Sequence, residues 1–272
     1  MIPFTKAHAC GNDFLIVTED AAHGQSWAEL TQRLCARNTG VGADGIEFFA
    51  WTGPKSARIE LHNADGSLAE ISGNGTRCVA TCMAAALNSR PGDELEIDTD
   101  AGVRICRVNA VNLTGGYTAL ITTGMGVPSF AAKEVSLADG TVIAGVEVST
   151  GNPHFVIPVD NAEFTVAGQS WQAIGAEICV HADFPKQTNV EFMRIVSPTQ
   201  IEIRIFERGV GPTTSSGTGS SASATAALAF HGCVSPLTVI APGGSQIVSW
   251  DGPGSELHLT GPASLIARGE AW

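Results

Sequence analysis

Ser72-Gly73-Asn74-Gly75-Thr76 opens an alanine-rich stretch running to Asn88, and Ser216-Gly217-Thr218-Gly219-Ser220 opens another running to Phe230. The two copies stand 144 positions apart. A second echo has nearly the same spacing: Gly11-Asn12-Asp13-Phe14 resembles Gly151-Asn152-Pro153-His154-Phe155 at an offset of 140. Two independent echoes at one spacing predict a duplicated half, and a repeat of this kind decides the fold before any single element does. Thr123-Gly124-Met125-Gly126-Val127-Pro128 falls near the midpoint and reads as a linker.

In each copy a short polar residue and two glycines come just before a helix-like stretch. Glycine lets the backbone reach positive φ and approach a ligand closely. The first N–H groups of a helix lack internal partners, and the helix dipole adds positive potential there. Such an end binds carboxylate or phosphate. The plainer reading is that Ser72 and Ser216 are ordinary N-caps. As a duplicated pair, the turns favour an anion clamp in a cleft between the halves, each half contributing the same device. Neither is a phosphate loop, because no Gly-Lys-Ser/Thr ending follows.

Outward from the turns, short runs rich in Val, Ile, Phe and Thr are bounded by Gly, Pro, Asn or Asp and read as strands: Arg58–His62, Glu94–Asp98, Thr118–Thr122, His154–Val159, Val190–Val196 and Ile201–Phe206. Helices are expected over Ser26–Arg37, with Trp27, Leu30 and Leu34 on one face, and over Thr76–Asn88 and Ser220–Phe230. The 272 residues are 44% hydrophobic and 15% charged, enough to bury a sizeable core. Fifteen Lys and Arg against twenty-seven Asp and Glu leave little with which to build a phosphate-binding face, so neither nucleic acid nor an anionic membrane is an expected partner. The N-terminal MIPFTKAHACGNDF is not a secretory signal, and the uncharged run Ser215–Phe230 is too short to span a bilayer. Seven cysteines without a CxxC pair or a zinc spacing read as reduced thiols, and the expected address is the cytoplasm, with no metal in the site.

Other polar residues fall at strand ends and in loops. Asn12, Asn63, Asn152 and Asn189 are candidates to hold a ligand, though Asn beside Gly is more often a turn residue. Glu207 and Arg208 follow a strand and put one acid and one base where they would hold the ammonium and carboxylate of a zwitterion; the plainer reading is a surface ion pair. His154 is the histidine best placed to titrate near neutral pH.

At this point the motifs converge. Gly11-Asn12-Asp13-Phe14, Gly42-Ala43-Asp44-Gly45, Asn63-Ala64-Asp65-Gly66-Ser67, Gly73-Asn74-Gly75-Thr76-Arg77-Cys78, Gly151-Asn152-Pro153-His154, Thr188-Asn189-Val190-Glu191-Phe192, Glu207-Arg208-Gly209-Val210-Gly211 and Gly217-Thr218-Gly219 together resemble the ordered motif set of diaminopimelate epimerase. The resemblance implies an α/β (α+β) chain of two similar domains, each a mixed β-sheet wrapped around a central helix. It divides the chain into residues 1–122 with 264–272, and residues 123–263. It also implies a cofactor-independent isomerase of lysine biosynthesis acting on a small amino acid, with Ser72, Ser216, His154 and Glu207 at the catalytic positions. Asn12, Asn63, Gly73, Asn74, Asn152, Asn189, Arg208, Gly217 and Thr218 match the substrate-binding positions. A homodimer is compatible with the sequence, which does not fix the oligomeric state.

The chain departs from the family pattern at four places. Gly45 stands where Gln is usual and Pro212 where Glu is usual. The catalytic cysteines are replaced by Ser72 and Ser216. A thiol has a pKa near about 8.5, lowered at a helix N-terminus, whereas a serine hydroxyl is several units less acidic. Serine alone therefore cannot remove an α-proton. Three readings stay open: an enzyme in which the serines relay protons with His154, Glu207 or His62; a non-catalytic amino-acid-binding relative; and a Cys→Ser-inactivated epimerase. Ser215, Ser220, Ser221 and Ser223 crowd the second turn, as drift would give and one replacement would not.

Overall fold

The computed structural model describes residues 1–69 and 72–272. They fall into two compact units, residues 1–124 with 260–272, and residues 125–259. The first begins with β1 (Ile2–Ala9), β2 (Asn12–Thr18), α1 (Trp27–Cys35), β3 (Gly45–Gly53) and β4 (Ser56–Asn63). It continues through β5 (Leu68–Ala69), α2 (Gly73–Leu87), β6 (Glu94–Thr99), β7 (Gly102–Asn112) and β8 (Tyr117–Gly124). The second holds β9 (Ser129–Ser136), β10 (Val142–Ser149), β11 (Pro153–Val159), α3 (Trp171–Cys179) and β12 (Asn189–Ser197). After these come β13 (Gln200–Glu207), β14 (Gly211–Thr213), α4 (Gly217–Phe230), β15 (Leu237–Ala241) and β16 (Gly244–Ser249), and β17 (His258–Ala271) ends the chain.

The same wiring is laid down twice. A β-α-β crossover makes β2 parallel to β3 around α1, and another makes β11 parallel to β12 around α3. Each is followed by an antiparallel hairpin, β3–β4 and β12–β13, and then by a second parallel pairing, β4–β6 across α2 and β13–β15 across α4. In the first unit β17 pairs with both β1 and β8, which closes the sheet into a ring around α2. The fold is thus a mixed sheet wrapped on a central helix, in duplicate.

Strand alternation decides which helix each side chain meets. On β3, Ile46 and Phe48 pack with Leu30 and Leu34 of α1, while Phe49 packs with Val79 and Met83 of α2. On β12, Val190 and Phe192 pack with Ile174 and Ile178 of α3, while Met193 joins the alanines of α4. The third residue of each strand, Glu47 and Glu191, therefore points inward at the central helix.

A helix enclosed by strands has to be thin, because large side chains would hold the sheet away. That explains Gly-Thr-Gly-Ser-Ser-Ala-Ser-Ala-Thr-Ala-Ala, buried from Gly217 through Ala227. Hydroxyls in such a core need partners, and helix carbonyls four residues back supply them. Thr76 donates to Ser72 O at 2.8 Å, Ser221 to Gly217 O at 2.9 Å and Thr225 to Ser221 O at 2.9 Å.

The expected strands lie within β4, β6, β8, β11, β12 and β13, and the helices differ in one informative way. α2 and α4 start at Gly73 and Gly217, three residues ahead of Thr76 and Ser220, so the glycine turns are the first turns of the helices. The sequence reading also missed α3, nine residues long, which Ser170 caps by accepting from Ala173 N. Ile174 and Ile178 at helical spacing were its signal. Among the described residues no helix is long and apolar enough to cross a membrane. Replacing Ala224→Leu in α4 should cost about 1–3 kcal/mol by overpacking a closed core, read as a fall in the urea midpoint at constant slope.

Candidate functional site

Each unit carries one half-site at the N-terminus of its central helix. Ser72 has extended backbone and its Oγ accepts from Gly75 N at 3.0 Å. Ser216 does the same for Gly219 N at 3.2 Å. Both serines are therefore N-caps, each satisfying the N–H of the third helical residue. The dipole of each helix adds positive potential at this end, which favours an anion there.

Beneath each turn lies a carboxyl. A Cβ built on Gly75 would stand 1.9 Å from Glu47 Oε1 and 3.2 Å from Ser72 Cβ. A Cβ on Gly219 would stand 2.6 Å from Glu191 Oε1 and 3.1 Å from Ser216 Cβ. The second glycine of each turn is glycine because a carboxylate oxygen fills the place of its side chain. Both glutamates are fully buried, at 0% exposure. Ile46-Glu47-Phe48 and Val190-Glu191-Phe192 repeat at 144 residues, the spacing of the serine turns, and that was the signal for Glu47 and Glu191 in this role.

The two carboxyls are held differently. Glu191 Oε1 meets His154 Nδ1 at 2.8 Å, and His154 Nε2 meets Asn152 Oδ1 at 3.0 Å. Asn152 Nδ2 donates to Thr218 Oγ1 at 3.3 Å, which lies 3.4 Å from Ser216 Oγ. A continuous polar chain thus runs from the buried carboxyl to the cap. In the first unit Phe14 pairs with Gly45 where His154 pairs with Asn189, so an apolar ring takes the histidine's place. Neither oxygen of Glu47 has a hydrogen-bond partner among the described residues. Burial alone pushes its carboxyl up to about 8.

The other anticipated residues take these places. Asn12 donates to Asp44 Oδ2 at 2.7 Å and accepts from Asn74 Nδ2 at 3.1 Å, which ties the first loop to the α2 turn. Asn189 donates to Pro153 O at 2.9 Å and accepts from Arg208 N at 3.0 Å, while Arg208 Nη1 donates to Lys186 O at 3.0 Å. Glu207 Oε1 accepts from Thr213 Oγ1 at 2.7 Å. Asn63 bonds within its own turn, to Ser67 Oγ at 3.1 Å. His62 is engaged by Glu60 at 2.7 Å and by Gly66 O at 3.2 Å. The buried thiols offer no ready thiolate, since desolvation pushes Cys106 up to about 11, Cys35 up to about 12 and Cys78 up as well. Among the described residues no cluster of three or more His, Cys, Asp or Glu is grouped to hold a metal ion.

A family model described as diaminopimelate epimerase matches residues 4–130 and 146–266. The chain belongs to the diaminopimelate epimerase family. A diaminopimelate epimerase of Thermosynechococcus vestitus is 35% identical over 296 residues, covering 98% of each chain. One from Desulfitobacterium hafniense is 32% identical, covering 97% of this chain and 96% of its own. Among solved structures, a predicted epimerase from Pseudomonas aeruginosa superposes with a TM-score of 0.74 at 12% identity, covering 99% of each chain. A hydroxyproline epimerase from Agrobacterium vitis, with bound trans-4-hydroxy-L-proline, gives 0.68 at 16% identity over 98% of this chain and 90% of its own. These last two likenesses establish the shared fold.

Two outcomes follow. Gly75→Ala should cost about 1–3 kcal/mol, because the new methyl overlaps the buried Glu47 carboxyl and displaces it, and the Gly75→Ala, Glu47→Ala double variant should recover part of that loss in a denaturation cycle. The second concerns pH. Glu47 holds its proton in the folded chain up to about 8, whereas an ordinary glutamate releases it near 4.5. Between those values the folded state binds the extra proton, so this group makes stability fall as pH rises, by at most about 1.4 kcal/mol per pH unit. Glu47→Gln should remove that slope in melting curves taken across the window.

Proposed function

We propose that the chain is a cofactor-independent amino-acid epimerase that inverts the α-carbon of a small zwitterionic acid, diaminopimelate being the first substrate to test. The observation that carries this reading is the duplicated half-site: a serine-capped helix N-terminus, one per unit, each over a buried carboxyl. Family membership across the chain, with relatives named diaminopimelate epimerase, supports the same chemistry and a place in lysine biosynthesis. In each unit the helix N-terminus favours an anionic group of the substrate, at Gly73 in the first and at Gly217 and Thr218 in the second. Asn12, Asn63, Asn152, Asn189 and Arg208 hold the remaining polar groups, and Glu207 and His154 serve the ammonium and the reacting carbon. Many of these side chains already bond to one another, which fixes their directions before a ligand arrives and lowers the ordering cost of binding.

Ser72 and Ser216 occupy the positions that match the family's catalytic cysteines. Each exchanges a proton with the α-carbon only by giving up its own proton to a group behind it. A cytoplasmic address is supported by seven cysteines of which none forms a disulfide. The chain acts as a monomer or a homodimer on a small molecule and uses neither nucleic acid nor membrane. A second reading, binding without turnover, is favoured by one fact: a hydroxyl is a far weaker acid than a thiol.

Incubation in deuterated water with meso-diaminopimelate, then with a panel of amino acids, separates the two. The epimerase reading predicts α-proton exchange visible by NMR, with Ser72→Ala and Ser216→Ala each slowing it by about a hundredfold or more. Calorimetric binding without exchange supports the binding reading instead. Exchange that appears only in the Ser72→Cys, Ser216→Cys protein marks an inactivated epimerase.

A further inference from the structure

We propose that Glu47 is the proton store of the first half-site, acting on a bound amino acid through the hydroxyl of Ser72. The inference rests on the epimerase reading and names the group that this reading lacks. A serine hydroxyl can receive an α-proton only while handing its own to a neighbour, so something behind Ser72 has to take and return protons.

Glu47 is in that place. Its Oε1 and the Cβ of Ser72 flank a single point, the vacant Cβ position of Gly75, at 1.9 and 3.2 Å. Ser72 is partly exposed while Glu47 is fully buried, so the hydroxyl stands between the carboxyl and the outside. The Ser72 oxygen uses one lone pair on Gly75 N–H, which leaves its proton and second lone pair for exchange. Both Glu47 oxygens lack partners among the described residues, Ser72 Oγ included, so the carboxyl turns toward the hydroxyl for the proton to pass. A carboxyl desolvated without a hydrogen bond is costly, and an apolar side chain on β3 would be cheaper. A proton held there is a chemical resource, and no structural bond accounts for the residue.

The neighbouring titratable groups are committed elsewhere or unsuited. On α2, Arg77 donates to Gly73 O and to Asn74 Oδ1, with burial lowering its guanidinium from the usual value, while the Cys78 thiol is pushed far up by burial. On β2 and the loop before β3, Asp13 and Asp44 are tied to Arg37 at 2.9 and 2.6 Å, with Lys6 also on Asp13 at 3.1 Å. On β4, Glu60 and His62 bond to each other at 2.7 Å. Cys10, in the turn after β1, is buried and sits at positive φ. Glu47 is the group that the Ser72 turn is built around.

The exchange balances without a further reactant. In one direction the Glu47 O–H bond breaks and its proton goes to Ser72 Oγ. The original Ser72 proton goes to the α-carbanion, whose electron pair forms the new C–H bond, and Glu47 is left ionised. In the other direction the α C–H bond breaks, its electron pair stays on carbon, and its proton goes to Ser72 Oγ. The hydroxyl proton then returns to the Glu47 carboxylate.

The test is α-proton exchange in deuterated buffer across pH 6–10, with wild-type protein and Glu47→Gln. Glu47→Gln keeps shape and removes the exchangeable carboxyl proton. The proposal predicts at least about a hundredfold lower exchange in this variant, with substrate affinity kept within about threefold. It also predicts that an inflection near 8 in the wild-type profile is absent from the variant. Exchange by Glu47→Gln within about threefold of wild type, or an inflection that survives in it, overturns the proposal and leaves the epimerase reading standing. No exchange by wild-type protein with any amino acid overturns that reading and this proposal together. Carbon-13 NMR of carboxyl-labelled wild-type and Ser72→Ala proteins needs no Glu47 variant: a high-titrating glutamate whose midpoint moves in Ser72→Ala supports the coupling, and an unmoved midpoint contradicts it.

Discussion

The whole arrangement depends on a carboxyl oxygen sitting where the side chain of a helix's third residue would otherwise be. Glu47 under Gly75 and Glu191 under Gly219 make the same contact in separate halves of the chain. It forces glycine into the turn, since any larger residue would meet the carboxyl. It also places a proton-binding group directly behind a capping serine. From Gly217 through Ala227 α4 carries only Gly, Ala, Ser and Thr, and α2 is rich in Gly, Ala and Thr around the larger Arg77 and Met83, so the sheets close tightly enough to bury these acids completely.

Burial is what turns the carboxyl into a chemical device. In water a glutamate is ionised at neutral pH, and serine beside it would be an indifferent cap. Desolvation with no compensating charge moves Glu47 into the range where it can hold or release a proton under physiological conditions. In the second unit the carboxyl at the same position is hydrogen-bonded to the His154 imidazole instead of left without a partner. On the epimerase reading, a hydroxyl in the place of a thiol needs a partner of suitable basicity behind it.

Much of this could be read from residues alone. The Ser-Gly-x-Gly echo gave the duplication, and Val, Ile and Phe runs bounded by glycine gave six of the strands. The helix starts were misplaced because glycine is scored as a breaker, whereas Gly73 and Gly217 form first turns whose geometry the capping serines supply. α3 escaped because nine residues between two loops carry too few periodic positions to stand out. Glu47 escaped for a different reason: one acid in Gly-Ile-Glu-Phe-Phe looks like the solvent face of an alternating strand, and only the closed sheet shows that this face is interior. His154 was legible as a residue of interest but not as a buried one, since its partner Glu191 lies 37 positions away.

The central claim is that a buried carboxyl filling the side-chain place of Gly75 keeps its proton through neutral pH. Following the side-chain carboxyl carbons of isotope-labelled protein by carbon-13 NMR across pH 4–10 addresses it directly. The account predicts one glutamate signal with a midpoint near 8 that is lost in Glu47→Gln. A full set of glutamates titrating in the ordinary carboxylate range would contradict it.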